Sequence, residues 1–327
     1  MDTVVKKYLK SFKFADLQHC KNMGVIPLLT DLNHTPEYLT LKDALDKQVL
    51  AISEVSQEGA VPELKVTNKG DLPVLLLDGE ELTGAKQNRV LNTTILLKEK
   101  SETIIPVSCT EQGRWSYTSK DFSDSGTVMI PKIRVMKAQT VSDSLEESSQ
   151  YRSDQGTVWT AIDEMSEEAE ARSQTGAMRD VFEARMSDLD EYLEAFTSVP
   201  HQRGLIAFID EEIVGFDFLS LESAYTQLHQ KLVKSYAMES LLRKDPKLNK
   251  PDAKMAKAFI DEALKCDEKK YESIGKGWDY RYEGRLMVGS ALKFEKKVIH
   301  TAFFRITESE KAGKIAGFRR RRSYRTD

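Results

Sequence analysis

Residues 73–115 constrain this chain more than any other stretch. Pro73-Val74-Leu75-Leu76-Leu77 runs into Asp78-Gly79-Glu80-Glu81-Leu82-Thr83-Gly84-Ala85-Lys86-Gln87-Asn88-Arg89, and Cys109-Thr110-Glu111-Gln112-Gly113-Arg114-Trp115 closes the segment. An apolar run that feeds an Asp-Gly pair fits a buried strand ending in a tight reversal. Two more apolar runs, 90–97 and 103–107, join the polar segments, so several short strands deliver their ends into two chemically dense loops. Polar loops held by a rigid sheet are the usual build of a binding site. A purely structural reading competes with this one. It gives Gly79 and Gly84 to turns that need φ > 0 and makes residues 86–89 a solvated hairpin end. Neither a P-loop nor a Gly-x-Gly-x-x-Gly motif is present.

Short β segments punctuated by Gly, Pro and Asn surround this stretch. They fall at 24–29, whose proline suits an edge strand, and at 48–55 and 61–67. Residues 1–23 are ambiguous, and 38–47 fits a strand running into a short helix. The stretch 140–154 is rich in Ser, Asp and Glu and reads as a polar linker or exposed loop. Val158, Ile162, Met165 and Ala169 share one helical face, and Met178, Phe182, Met186, Leu189 and Leu193 make a second stripe, read as core. Residues 204–209 and 213–218 flank Asp210-Glu211-Glu212 as a hairpin. Leu221, Tyr225, Leu228, Leu232 and Tyr236 give a long amphipathic helix, and Pro251 fits the first turn of another. Strands at 278–286, 291–294 and 298–304 follow. This order predicts an α+β fold: an N-terminal β-rich sandwich or barrel-like sheet, a helical insertion, and late strands that rejoin the sheet. The predicted division is a β-rich domain carrying the site at 1–139, the linker at 140–154, an α+β part at 155–310 and a basic tail at 311–327.

With 327 residues, 40% hydrophobic and 31% charged, the chain can bury a sizeable core as one large or two ordinary globular domains. It has no apolar run of membrane-spanning length, and its N-terminus lacks the apolar core of a signal peptide. Three distant cysteines imply neither a disulfide framework nor a Cys-x-x-Cys site, which points to a reducing cytoplasm. Residues 311–327 hold seven Lys/Arg against one Asp, a net of +6, so the formal charge of −4 leaves the rest at −10. That acidic body argues against a general nucleic-acid surface.

Lys86 and Arg89, flanking Gln87 and Asn88, can grip a phosphate or carboxylate, the arginine as a planar fork and the lysine as a point charge. Glu80 and Glu81 can bind a ribose hydroxyl, act as a base or hold a divalent cation. Equally, the two carboxylates neutralise the two cations across a turn. Glu111, Arg114 and Trp115 combine carboxylate, guanidinium and a flat ring, a set suited to a base or nicotinamide with its sugar. Trp115 also fits as an anchor of the sheet. Cys109 is the weaker nucleophile candidate, because a cysteine ending an apolar strand is commonly a small buried residue. The five histidines form no ligand pair, so no metal site is predicted, and His300 reads as a satisfied core histidine. Asp217, set between two phenylalanines, is expected to pair with Arg281 or Arg89, since an unpaired buried charge is costly. The candidate catalytic residues are thus Glu80, Glu81 and Glu111, and the candidate ligand-binding residues are Lys86, Gln87, Asn88, Arg89, Arg114 and Trp115. One cleft is expected to hold Glu80, Lys86, Gln87 and Arg89 with Glu111 or Arg114.

The phrase DGEELTGAKQNRVLNTTILL at 78–97, followed by IPVSCTEQGRW at 105–115, resembles the core signature of the ARG and rhodanese-phosphatase-superfamily-associated protein domain family. The likeness is strongest over residues 41–115. It continues through GLIAFIDEEIVGFDFLS at 204–220 and as far as residue 304. The family is named for gene neighbourhoods shared with ADP-ribosylglycohydrolases. The resemblance therefore implies a prokaryotic conflict system linked to NAD or ADP-ribose, without fixing a reaction or a cofactor. The expected function is a binding protein or enzyme for a nucleotide-like small molecule, such as ADP-ribose or an NAD-derived compound. The alternative is a non-catalytic, homo-oligomeric scaffold or sensor. Nucleic-acid binding through Arg319, Arg320, Arg321 and Arg322 is the weaker alternative, and no membrane partner is expected.

Overall fold

In the computed structural model, which describes residues 1–32, 36–56, 62–243 and 252–307, the chain opens on a helix that the sequence left undecided. Asp2 caps α1 (Thr3–Lys10) by accepting from the Val4 and Val5 backbone N–H groups. Strands β1 (Lys13–Phe14) and β2 (Gln18–Cys20) pair with different halves of β3 (Met23–Leu29). β3 is not the edge strand its proline suggested, since its other flank pairs along its length with a later strand. Pro27 is tolerated because its carbonyl accepts from Ala15 at 3.1 Å on the side where β1 and β2 leave a gap. Its missing N–H faces the same gap.

A second group of strands carries the polar loops. It begins with β4 (Leu39–Thr40) and α2 (Leu41–Asp46), whose entry is a capping box of Thr40 and Asp43. Then come β5 (Leu50–Glu54), β6 (Glu63–Asn68), β7 (Val74–Leu76), β8 (Glu80–Gly84), β9 (Arg89–Leu91), β10 (Ile95–Leu97), β11 (Ser101–Cys109) and β12 (Phe122–Val128). They form a three-stranded sheet in the order β10-β7-β4 and a six-stranded sheet in the order β12-β8-β9-β11-β6-β5. The Asp78-Gly79 turn therefore does more than reverse the chain: it carries it from one sheet into the other. Gly79 sits at φ +86°, and a Cβ there would come 3.2 Å from the side chain of Arg134, so the corner needs glycine on two counts.

The helical insertion is α3 (Pro131–Ser148), α4 (Gln155–Glu168), α5 (Met178–Ala184) and α6 (Met186–Ala195). The polar linker expected at 140–154 is thus helical as far as Ser148. Its serines and acids face outward, but Ala138, Val141 and Leu145 form a buried stripe, enough to hold the last turns on the body. The single Met stripe at 178–193 is broken at Arg185 into two helices.

Strands β13 (Gly204–Ile209) and β14 (Glu212–Leu219) form the expected hairpin, followed by α7 (Glu222–Leu241) and α8 (Ala253–Ala263). The chain then builds β15 (Asp267–Glu272), β16 (Trp278–Glu283), β17 (Met287–Phe294) and β18 (Lys297–Arg305). These strands join the first three in a nine-stranded antiparallel sheet, ordered β1-β3-β13-β14-β18-β17-β16-β15 with β2 also on β3. The fold is α+β, and the late strands do rejoin N-terminal ones. One face of this sheet packs Ile206, Phe216, Phe218 and Phe303 with residues of α1 and α8. The other face packs Leu205, Ala207 and Phe304 under α3 and α7. Among the described residues no helix is long and apolar enough to cross a membrane. His34, Pro251 and the basic tail with Arg319–Arg322 lie outside the described residues.

Candidate functional site

Two loops deliver most of the predicted residues, and they are bonded to each other. The β8–β9 connection turns through Gly84 at φ +124° and Ala85 at φ +41°. A Cβ on Gly84 would lie 2.5 Å from Ser119 Oγ and 2.8 Å from the Asp121 carbonyl, so the second loop closes directly over it. That second loop leaves β11 at Thr110, whose N–H donates to the Asn88 carbonyl at 3.0 Å. Glu111 accepts from the Asn88 backbone N–H at 3.1 Å, from Thr175 at 2.8 Å and from Arg114 at 2.6 and 2.9 Å. Burial pushes the Glu111 carboxyl up, but Arg114, Thr175 and the Asn88 N–H outweigh it and hold its pKa below the usual value.

Arg114 has all three nitrogens engaged inside the protein. Besides Glu111, it donates to the Ala85 carbonyl at 2.8 Å, to the Ser116 carbonyl at 2.9 Å and to Asn88 Oδ1 at 3.2 Å. It thus ties the two loops together and has no donor left to grip a ligand, as the sequence had suggested it would.

Arg89 is different. It has no exposed surface, and only its Nη1 makes hydrogen bonds, to the Gln87 carbonyl, Gln87 Oε1 and the Asn88 carbonyl. Its Nε and Nη2 have no hydrogen-bond partner among the described residues, nor does either carboxylate oxygen of Glu54. Glu54 Oε1 lies 3.7 Å from Arg89 Nη2, close enough for an ion pair but too far for a hydrogen bond. So Arg89 pairs with Glu54 and not with Asp217. Beside the guanidinium, at 5.8 Å, is the ring of Trp115. Lys86 Nζ stands 5.2 Å from both Trp115 and Tyr117. These rings are 48% and 51% exposed, so Trp115 is not a buried anchor of the sheet. A shallow groove of about 970 Å³ runs beside Tyr117, lined also by Ser53, Glu54 and Lys120 among others.

The other predicted carboxylates turn away. Glu80 is buried against α7, accepting from Lys231 Nζ at 2.7 Å and from the Leu77 N–H at 2.8 Å. Glu81 is buried too, accepting from Thr110 Oγ1 at 2.6 Å and Thr127 Oγ1 at 3.0 Å. Burial outweighs the surrounding hydroxyls and the weaker pull of Arg179, and raises its pKa to about 7. The single cleft expected from the sequence thus splits. Gln87, Asn88, Arg89, Glu111, Arg114 and Trp115 gather at the loops, while Glu80 and Glu81 face inward. Cys109 is buried, its thiol pKa raised by that burial, which disfavours the thiolate a nucleophile needs.

Asp217 and His300, both singled out in the sequence, meet in a buried polar node whose other members were not expected. Asp217 accepts from Arg134 at 2.9 and 2.7 Å, from Tyr236 Oη at 2.8 Å, and pairs with His300 Nε2 at 3.2 Å. Its expected partner Arg281 instead pairs with Asp279 at 2.7 Å and donates to Thr93 at 2.6 Å. Burial raises the Asp217 pKa, but Arg134 and His300 outweigh it and hold the carboxyl well below the usual range. His300 Nδ1 reaches Thr94, and Lys137 reaches Asp78 and the Leu91 carbonyl. Signals for two of these absent partners were present: Glu54 follows Leu50 and Ile52 on the inward face of β5, and Arg134 sits among the apolar Ile133 and Val135.

Among the described residues, three sheets with a helical insertion, and two interlocked polar loops on the six-stranded sheet, define an α+β protein. The chain belongs to the ARG and Rhodanese-Phosphatase-superfamily-associated Protein domain family, whose profile matches residues 11–304. No curated protein and no solved structure matches it.

Proposed function

We propose that this protein binds a nucleotide-like small molecule, of the ADP-ribose or NAD-derived class, on the ledge formed by Trp115 and Tyr117. One observation carries the reading: the buried Glu54–Arg89 pair keeps hydrogen-bonding atoms without partners directly beside two exposed aromatic rings. Buried polar atoms normally find partners, and a site built to receive a ligand is one place where they wait for them. An exocyclic amine or carboxamide satisfies Glu54, a flat base stacks on Trp115 or Tyr117, and Lys86 and Lys120 meet phosphates. The family's link to ADP-ribosylglycohydrolases supports the same ligand class, in a prokaryotic defence-type setting and a reducing cytoplasm. Glu111, engaged by Arg114 and Thr175, positions the loops in this reading.

The test is a panel of nucleotides, NAD and ADP-ribose, scored by thermal shift and by quenching of Trp115 fluorescence. A ligand that binds only the native state raises its stability. Binding by the wild type that is lost in Trp115→Ala supports the ledge. No shift with any member of the panel sinks the reading and leaves the non-catalytic scaffold, for which the same exposed rings are a docking patch.

A further inference from the structure

A second concavity, of about 710 Å³, lies between α2, β12 and α7 and shares no lining residue with the groove beside the ledge. Its volume is in the range of small-molecule sites. Its wall is polar, with Ser125, Gln227 and Gln230 beside three lysines. Each carboxylate on that wall is already matched. Asp46 takes Lys42 at 2.8 Å, and Asp124 takes Lys231 at 2.7 Å, an ammonium it shares with Glu80.

Lys234 stands apart from this pattern. Among the described residues its ammonium makes no ion pair, and its one hydrogen bond goes to the Gly126 carbonyl at 3.2 Å. A lysine has three donors, so two donors remain unused at the wall of the groove, although Asp124 and Asp190 act on the charge from a distance. Burial and the neighbouring Lys231 push its pKa down more than Asp124 and Asp190 raise it, and an anion in contact would offset the remainder. Gly126 has no atom within 4 Å of where a Cβ would stand, so the backbone there borders open space. The Ser125 hydroxyl is held at the same wall by Thr127, 2.6 Å away. Gln227 and Gln230, on successive positions of the same α7 face, supply amides that both donate to and accept from hydroxyl groups.

We propose that this groove binds a small phosphomonoester of a polyol, a sugar phosphate in chemical class, with the phosphate on Lys234 and the hydroxyls on Gln227 and Gln230. A lysine with two unused donors in a partly desolvated wall favours an anion, and the neutral amides beside it favour a hydroxylated one.

Titration calorimetry of the full chain tests this, with glucose 6-phosphate and glycerol 3-phosphate as probes and glucose and inorganic phosphate as controls. Saturable binding of at least one probe is expected, with both controls at least tenfold weaker. Lys234→Met should weaken the probe tenfold or more while its melting temperature stays within a few degrees of wild type. Gln230→Ala, a smaller change to the same wall, should weaken the probe but not inorganic phosphate. Trp115→Ala should bind the probe as wild type does, which separates this groove from the nucleotide ledge. No saturable binding of either probe overturns the proposal. So does undiminished binding by a folded Lys234→Met, or an affinity for inorganic phosphate equal to that for the probes.

Discussion

Arg89 was conspicuous in the sequence as the last cation of a polar run, but its partner was not. Glu54 lies on a different strand, and only pairing through β6, β11 and β9 brings the two to one end of the sheet. Because the 3.7 Å contact is an ion pair without hydrogen bonds, Arg89→Lys keeps the charge and removes only the planar donor set. Arg89 has no exposed surface and acts on a ledge ligand only by holding Glu54, so affinity should fall by less than the roughly 1–3 kcal/mol of a direct charge-assisted hydrogen bond. The loss of stability should stay below the ~3–5 kcal/mol of a broken buried pair. Affinity and melting temperature measured on the same variant check both halves.

Glu81 gives a pH dependence. Its folded pKa, about 7, lies above its ordinary value, so the folded state holds a proton that the unfolded state releases. The contribution is complete below the ordinary glutamate range and is lost as pH rises through 7, so stability falls with pH in that window. Denaturant unfolding of wild type and Glu81→Gln at pH 5, 6.5 and 8 should show their difference changing by about 3 kcal/mol, the scale of a shift of two to three pKa units. A difference that does not change with pH would place the proton elsewhere.

Among the elements, those with one dominant periodicity were legible. The β13–β14 hairpin, α7 and the strands β16 to β18 fall near where alternation and the 3.6-residue stripe put them, whereas β15, whose residues Asp267–Glu272 are nearly all charged, was not read as a strand. Helix α3 was not legible, because its apolar face is narrow and its remaining residues share the composition of a loop. Its end is also poorly capped. Ser149 stands at φ +56° and ψ +29°, exposed, in the left-handed region that glycine occupies without a Cβ clash. Ser149→Gly should therefore raise stability by about 0.5–1 kcal/mol, read as a shift of the urea midpoint at constant slope. A lower midpoint would show that the serine hydroxyl does more than the cap geometry explains.

Across the whole molecule, the node at Asp217 joins parts that the chain order keeps apart: α3 through Arg134, α7 through Tyr236, β18 through His300 and the β9–β10 turn through Thr94. Single residues announced that charges would be buried here, but the pairing was illegible, because it depends on which helix crosses the sheet over β14. Asp217→Asn leaves Arg134 buried beside a neutral amide and should cost about 3–5 kcal/mol, measured by denaturant unfolding. Adding Arg134→Met should recover a substantial part, since an apolar pair of similar size fills the same space. Equal losses in the single and double variants would mean the node is held by Tyr236 and His300 alone.

The large sheet also sets a timetable for synthesis on the ribosome. Ile26 of β3 pairs with Ile206 of β13, and Phe216 of β14 with Phe303 of β18. The first long strand therefore emerges with one flank open and stays so until most of the chain has been made, and β14 then waits for the last strand. Open strand flanks attract the wrong partners, and distant pairings close slowly. The N-terminal strands can reach their final pairing only late, so the interval before β13 leaves the ribosome is when the nascent chain is most exposed to aggregation.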